Sequence, residues 1–411
     1  MRNPNPSPIP SPIPSPISAG QNVIALSAVA GMLGVMFVGA ILPTPLYPLF
    51  RQSFGFSGVT LTLIYATYVL GNLIALLFFG RLSDQIGRRI TSLPAIGVGI
   101  ASTLVFAFAA GTGWLLVARA LSGFATGLAA GAATAWIAEL HSDGGRGTAA
   151  RIAAAANFFG CAAGPLMGGL LAQFAPAPLR LPFVVYAAVL GAAAAIIPFA
   201  SETVAKPKRR LDQLSLRPRL GVPRRIWFQF VSPAVTGFAT FSLIGFYSAL
   251  IPSLLRDSLH QFAPAIAGGI VFEMFLIAAI TILASHRIAS GAATLIALTL
   301  LPPSVWLLVL AEINRSMPLM LLATAAGGLA GGLGYRGSLE VVNRIAPADQ
   351  RSEVVSSLFV ALFAGNSVPV IGIGFLAAAA TALIAHVIFA AVLTVLAGLA
   401  VLTGLKFPPN E

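Results

Sequence analysis

Gly80-Arg81-Leu82-Ser83-Asp84-Gln85-Ile86-Gly87-Arg88-Arg89 gathers three of the first six cationic residues of the chain around one acid, with apolar sequence on both sides. The run before it, 57–79, and the run after it, 90–110, are each of the length that carries an α-helix across a bilayer, about 20 residues. The rest of the chain has the same texture. Of 411 residues 57% are hydrophobic and 9% are charged, and the mean hydropathy is +0.91. Soluble domains carry roughly a quarter charged residues, so there is too little polar side chain here to cover a water-facing surface. A soluble enzyme, a disordered chain and a disulfide scaffold are excluded, the last also by the single cysteine, Cys161. What remains is a polytopic all-α membrane protein, and the 41 glycines and 29 prolines fit it.

Extending the reading from that loop gives twelve predicted helices, at 23–50, 57–79, 90–110, 114–140, 149–174, 180–200, 227–254, 262–284, 292–312, 316–343, 352–378 and 382–404. The polar stretch 201–226 divides them six and six. The expected layout is a Pro-rich disordered cytoplasmic tail (1–22), a six-helix half (23–200), a basic cytoplasmic linker (201–226), a second six-helix half (227–405) and a short cytoplasmic tail (406–411). The tail repeats Pro-Ser-Pro-Ile, which blocks regular hydrogen bonding, and its single Arg2 does not make a signal peptide.

The basic residues set the expected orientation. With the N-terminus in the cytoplasm, 19 cations fall on the inner side, four (Arg51, Arg180, Arg256, Arg315) on the outer side, and Arg119 inside a helix. This satisfies the positive-inside rule with both termini cytoplasmic. It also accounts for the net charge of +12 without a nucleic-acid partner. The few histidines and the lone cysteine are too scattered to form a metal site.

Several stretches carry more than composition. In 80–89 the glycines allow a tight turn, and Asp84 at a helix end can gain or lose a cationic partner; an ordinary charged turn has the same makeup. Predicted helix 4 sets Arg119 before Gly123, Gly127 and Gly131, whose spacing of four lines one face for close helix approach. An arginine at membrane depth must find water, a carbonyl or a carboxylate. Predicted helix 5 contains Gly160, Gly164, Pro165, Gly168 and Gly169, a proline that can kink the helix among glycines that let it pack.

These three stretches resemble motifs A, B and C of the major facilitator superfamily. Gly80, Leu82, Asp84, Gly87, Arg88 and Arg89 match Gly-x-Leu-Ala-Asp-x-x-Gly-Arg-Lys/Arg, with Ser83 in place of alanine. Arg119 and Gly123 match Arg-x-x-x-Gly, and 160–169 matches Gly-x-x-x-Gly-Pro-x-x-Gly-Gly, a mark of the drug:proton antiporter branch. In the second half the corresponding loop, Ser285 to Gly291, lacks the acid of motif A.

The resemblance implies two six-helix halves that rock about a central site, alternating access, energy drawn from the proton gradient with no bound cofactor, and a functional monomer. It also implies that Arg119 takes part in proton coupling, and that Glu139 and Asp143, reaching Arg88 and Arg89 beside Asp84 in the 80–89 loop, latch the outward-facing state. Inner-membrane efflux of small lipophilic or cationic compounds is the first expectation. A symporter or facilitator importing a small organic solute is the alternative, and a non-transporting receptor or scaffold the third.

Residues outside the motifs add candidates. Glu273 lies near the middle of predicted helix 8, where a carboxylate must carry a proton or face a wet cavity; it is a candidate for proton or cation binding, or for a structural hydrogen bond. Arg336, Glu340 and Arg344 share one face of predicted helix 10. Tyr65, Tyr68 and Asn72, with Trp136, Phe241 and Tyr247, are candidate cavity residues, since an aromatic wall suits lipophilic or cationic solutes. Bundle packing would use the same residue types. Gly332-Leu-Gly334-Tyr-Arg-Gly337 has dinucleotide-binding spacing, but no strand precedes it and it lies in a helix.

Overall fold

A computed structural model describes residues 19–141, 146–204, 218 and 220–406, and the regular structure in them is helical throughout. In hydrocarbon each peptide group must be satisfied within its own segment, so long apolar runs fold as helices. Twelve are long and apolar enough to cross a membrane. They are α1 (Val23–Phe54), α2 (Gly58–Phe79), α3 (Arg88–Ala107), α4 (Thr112–Leu140), α5 (Gly147–Phe174) and α6 (Leu181–Phe199) in the first half. The second half has α7 (Arg224–Ala249), α8 (Pro264–Arg287), α9 (Ser290–Ile313), α10 (Met317–Ile345), α11 (Arg351–Ala379) and α12 (Ala382–Lys406). The Pro-rich stretch 1–18, Asp143, most cations of the linker (Lys206 to Arg217, and Arg219) and 407–411 lie outside the described residues.

Local departures from the predicted spans have local causes. The first is not one straight helix: it stops at Ile41, passes through a 3-10 turn at Thr44–Leu46 and resumes at Tyr47–Phe54, because Pro43, Pro45 and Pro48 remove backbone donors. The seventh breaks at Leu250, ahead of Pro252, and continues as Ile251–Asp257. The second ends in a π turn, Ala75–Phe79, that leads into Gly80. The third starts at Arg88, directly after Gly87, whose φ of 115° is open to glycine and strained for other residues.

Glycine decides which helices touch, and the pattern repeats between halves. A Cβ on Gly123 or Gly127 of α4 would strike the carbonyl oxygens of Tyr68 or Asn72 on α2, and one on Gly328 or Gly332 of α10 would strike those of Met274 or Ala278 on α8. Likewise Gly160, Gly164 and Gly168 of α5 lie on the backbone of α1, as Gly365 of α11 lies on that of α7. Between halves, Gly169 of α5 meets Pro264 of α8, and Gly374 of α11 meets Thr62 of α2. Each pairing recurs six helices later, so the two halves are built on one plan.

The halves are hydrogen-bonded to each other at the end away from Gly80–Arg89. There Thr44 donates to the Ser248 carbonyl at 2.7 Å and the Ala265 amide donates to Gln173 at 3.1 Å. At the other end, called basic here for its arginines, a cavity of about 490 Å3 is lined by α5, α8, α10 and α11.

Candidate functional site

At the basic end the 80–89 loop is fastened to its own half. The Arg88 side chain is 5% exposed; its Nη2 and Nε donate to the two carboxylate oxygens of Glu139 on α4 at 2.5 and 3.1 Å. Its Nη1 donates to Ser83 Oγ at 2.7 Å and pairs with Asp84, whose side chain remains 54% exposed. This forked geometry is the strong form of an arginine–carboxylate contact. Arg89 donates to the carbonyl of Ala200 at 2.5 Å.

Glu202, which sequence reasoning left in the linker, completes the fastening. Its carboxylate accepts from the backbone amides of Arg88 and Arg89 at 3.0 and 2.9 Å, at the N-terminus of α3. It thus satisfies two orphan donors and meets the positive end of the helix dipole. Thr203 donates to Glu139, closing the ring. Asp143, expected to join these arginines, lies outside the described residues.

Within α4 Arg119 is 1% exposed. Its Nη1 donates to the Ala40 carbonyl at 2.7 Å, while Nε and Nη2 have no hydrogen-bond partner. No carboxylate pairs with it among the described residues. Instead its guanidinium lies 4.5 Å from the ring centre of Tyr68 and 5.4 Å from that of Tyr65, so the tyrosine faces supply the compensating negative potential. Asn72 donates to the Tyr68 hydroxyl at 3.4 Å, and the Tyr65 hydroxyl donates to Asn366 of α11 at 3.0 Å, linking the halves.

Across the bundle Glu273 is the only acid in α8, and its Oε2 is buried without a hydrogen-bond partner. An aromatic group stands between the halves near it: Phe158 of α5 packs on Tyr335 of α10 and Phe275 of α8, with ring centres 5.3 and 6.0 Å apart. Phe241 of α7 joins Tyr335 at 5.8 Å and Phe363 of α11 at 6.5 Å. Tyr247 is fully buried, and its hydroxyl accepts from Thr324.

One predicted cavity residue is placed elsewhere. Trp136 is fully buried at the basic end of α4, and its Nε1 donates to the Ser201 carbonyl at 2.8 Å. It anchors the start of the linker, because indole has one donor and the linker backbone offers the acceptor. Of the charged face predicted on α10, Arg336 and Glu340 pair at 2.9 Å, and Arg336 also donates to the carbonyls of Ser285 and Ile288; Arg344 does not join them.

A second buried polar group was not foreseen. His386 Nδ1 lies 2.7 Å from Glu312, which also accepts from Ser258 at 2.9 Å, at the end opposite the basic one. Two ionisable residues in otherwise apolar helices were the available signal.

Comparison with known proteins agrees with this architecture. Quinolone resistance protein NorA of Staphylococcus aureus (strain Mu50 / ATCC 700699) is 27% identical over 244 residues, 58% of this chain and 61% of that protein. Multidrug resistance protein 2 of Bacillus subtilis (strain 168) is 29% identical over 149 residues, 36% of each chain. The chain therefore spans less than two thirds of the length of these curated relatives. The crystal structure of a bacterial homologue of the human lysosomal transporter Spinster, inward-facing and unoccupied, aligns with a TM-score of 0.69 at 16% identity, over 96% of this chain and all of that one. It shows a shared fold. The pattern described as Major Facilitator Superfamily matches residues 24–302, more than half of the sequence. With twelve candidate membrane helices in two like halves, the chain belongs to the Major Facilitator Superfamily and is a multi-pass membrane transporter, not an enzyme.

Proposed function

We propose that this transporter is a proton-coupled exporter of small lipophilic compounds in a bacterial-type inner membrane, with its basic end and both termini in the cytoplasm. The observation that carries the reading is that two ionisable groups within the helices have no ionic partner among the described residues: Arg119 in the first half and Glu273 in the second. A charge held in the bundle without an ionic partner is costly, and such residues mark ion and proton pathways. In the proposed cycle Glu273 loads a proton when the site faces outward and gives it up when a substrate enters from the cytoplasm. Arg119 biases that exchange by its field, and the aromatic group of Phe158, Phe241 and Tyr335 supplies the apolar contact. The resistance proteins among the relatives support an efflux direction.

With the basic end cytoplasmic, the geometry described above is open inward. The Arg88–Glu139 pair, expected to latch the outward-facing state, is made here, with Glu202, as a tie that holds the loop within its own half. Asp84, half exposed, is then free to take a new partner when the basic end closes. The test is drug susceptibility and dye accumulation in cells stripped of their own exporters. Native protein is expected to lower accumulation, Arg119→Ala to abolish the effect and Asp84→Asn to weaken it. Equal accumulation with native protein and empty vector across a broad panel of lipophilic compounds would refute export.

A further inference from the structure

The cavity at the basic end has a chemistry of its own. Four arginines line it, Arg151, Arg336, Arg344 and Arg351, against one acid, Glu340. Arg336 and Glu340 are already spent on each other and on the carbonyls of Ser285 and Ile288. The other three have no carboxylate partner among the described residues. Arg151 gives one donor to Thr148 at 3.0 Å. Arg351 has its Nε buried with no hydrogen-bond partner.

A cation placed only to satisfy membrane topology keeps its donors in water. A buried guanidinium N–H without an acceptor is different: it has been taken from water and given nothing in return, an arrangement that a ligand oxygen would relieve. Ala154, Ile282 and Leu339 add apolar surface to the lining, which reaches Tyr335 of the aromatic group between the halves. The lining therefore joins cations from both halves to apolar surface.

We propose that this mouth binds an amphiphile whose head group is an anion, a carboxylate or a phosphate. The head group sits among Arg151, Arg344 and Arg351, and the tail lies along α5, α8 and α10. The planar guanidinium fork suits both anions, and its hydrogen bonds to them are the strong charge-assisted kind. A lipophilic cation meets three uncompensated positive charges at the same place and is disfavoured. The site is a binding site whether or not the chain exports, and the head group can come from a dissolved amphiphile or from an anionic lipid of the facing leaflet.

The test uses the purified full-length protein in phosphatidylcholine nanodiscs and reads binding isotherms, not transport, so a failed efflux assay leaves it interpretable. Dodecyl phosphate and dodecanoate are expected to bind at least ~10-fold more tightly than dodecyltrimethylammonium. Arg344→Gln with Arg351→Gln is expected to weaken dodecyl phosphate by roughly 10- to 100-fold, the range for lost hydrogen bonds to charged groups. Arg351→Lys keeps the charge and removes the fork, so it is expected to lose several-fold while melting like the native protein. Arg287→Gln, an exposed arginine at the same end, is expected to change nothing. Equal affinity for the cationic detergent, an unchanged isotherm for both the double variant and Arg351→Lys, or an equal loss in Arg287→Gln would overturn the proposal. Repeating the titration in nanodiscs doped with phosphatidylglycerol separates the sources. Competition by the lipid assigns the head group to the membrane, and its absence assigns it to solution; either result upholds the site.

Discussion

The two halves fasten their basic-end loops by different chemistry. In the first, the loop supplies the cation: Arg88 reaches across to Glu139 on α4 and back to Asp84. In the second, α10 supplies both Arg336 and Glu340, and the loop contributes only the carbonyls of Ser285 and Ile288. The job, tying the loop between the second and third helices of a half to its fourth, survives while the residues that do it change places. The first tie contains a half-exposed carboxylate, Asp84, that can change partner. The second rests partly on backbone carbonyls, which are neutral, do not titrate and stay where the helix end holds them. On the function proposed above, the first half is the one that would switch and the second the one that would stay.

The comparison can be broken first where the halves are alike. Gly164→Val and Gly365→Val each place a branched side chain on a neighbouring helix backbone, and overpacking of this kind costs about 1–3 kcal/mol or more. Both variants should lower the thermal midpoint in detergent by similar, large amounts. If only the first-half variant does, the repeat of packing between halves is not energetic.

Next come the ties, where the halves should differ. Glu340→Gln leaves the buried Arg336 with no counter-charge, and a hydrogen bond to a charged group is worth about 1.5–3 kcal/mol. Glu139→Gln leaves Arg88 with Asp84 and Ser83, so its expected cost is smaller, about 1 kcal/mol. Unfolding of the two variants side by side gives the order; the reverse order would remove the contrast drawn above. Glu202→Ala, which strips the cap from α3, should cost about 1 kcal/mol. The equivalent helix α9 follows Ala289 and has no side-chain cap, so Ala289→Ser is expected to stabilise by about 1 kcal/mol. The smallest effect is expected for Tyr65→Phe, which deletes the hydrogen bond to Asn366 between halves. About 0.5 kcal/mol corresponds to a roughly two-fold shift between inward- and outward-open populations, readable by spin-label distances.

Composition and loop charge were enough for the helical class, the number of spans and their six-and-six division, because hydrocarbon leaves the backbone few options. The motif glycines were also legible: spacing of four announces a close interface, though not which helix fills it. Breaks inside helices were less so. Pro43, Pro45 and Pro48 were visible in an apolar run, yet proline is tolerated in membrane helices often enough that its effect depends on neighbours. Pairings between distant residues were hidden. Nothing local to Glu202 says that it caps α3, and Glu312 with His386 are 74 positions apart. Trp136 shows the limit from the other side, since an aromatic residue on a predicted cavity face was claimed by a linker carbonyl whose position no periodicity reports.

The account rests on Glu273 as the group that exchanges a proton for substrate. Purified protein in proteoliposomes with an entrapped pH dye allows the exchange to be counted. A lipophilic dye added to the basic side should drive proton release from the native protein, while Glu273→Gln, folded and still binding the dye, should release none. Proton release that continues undiminished in Glu273→Gln would contradict the coupling role directly.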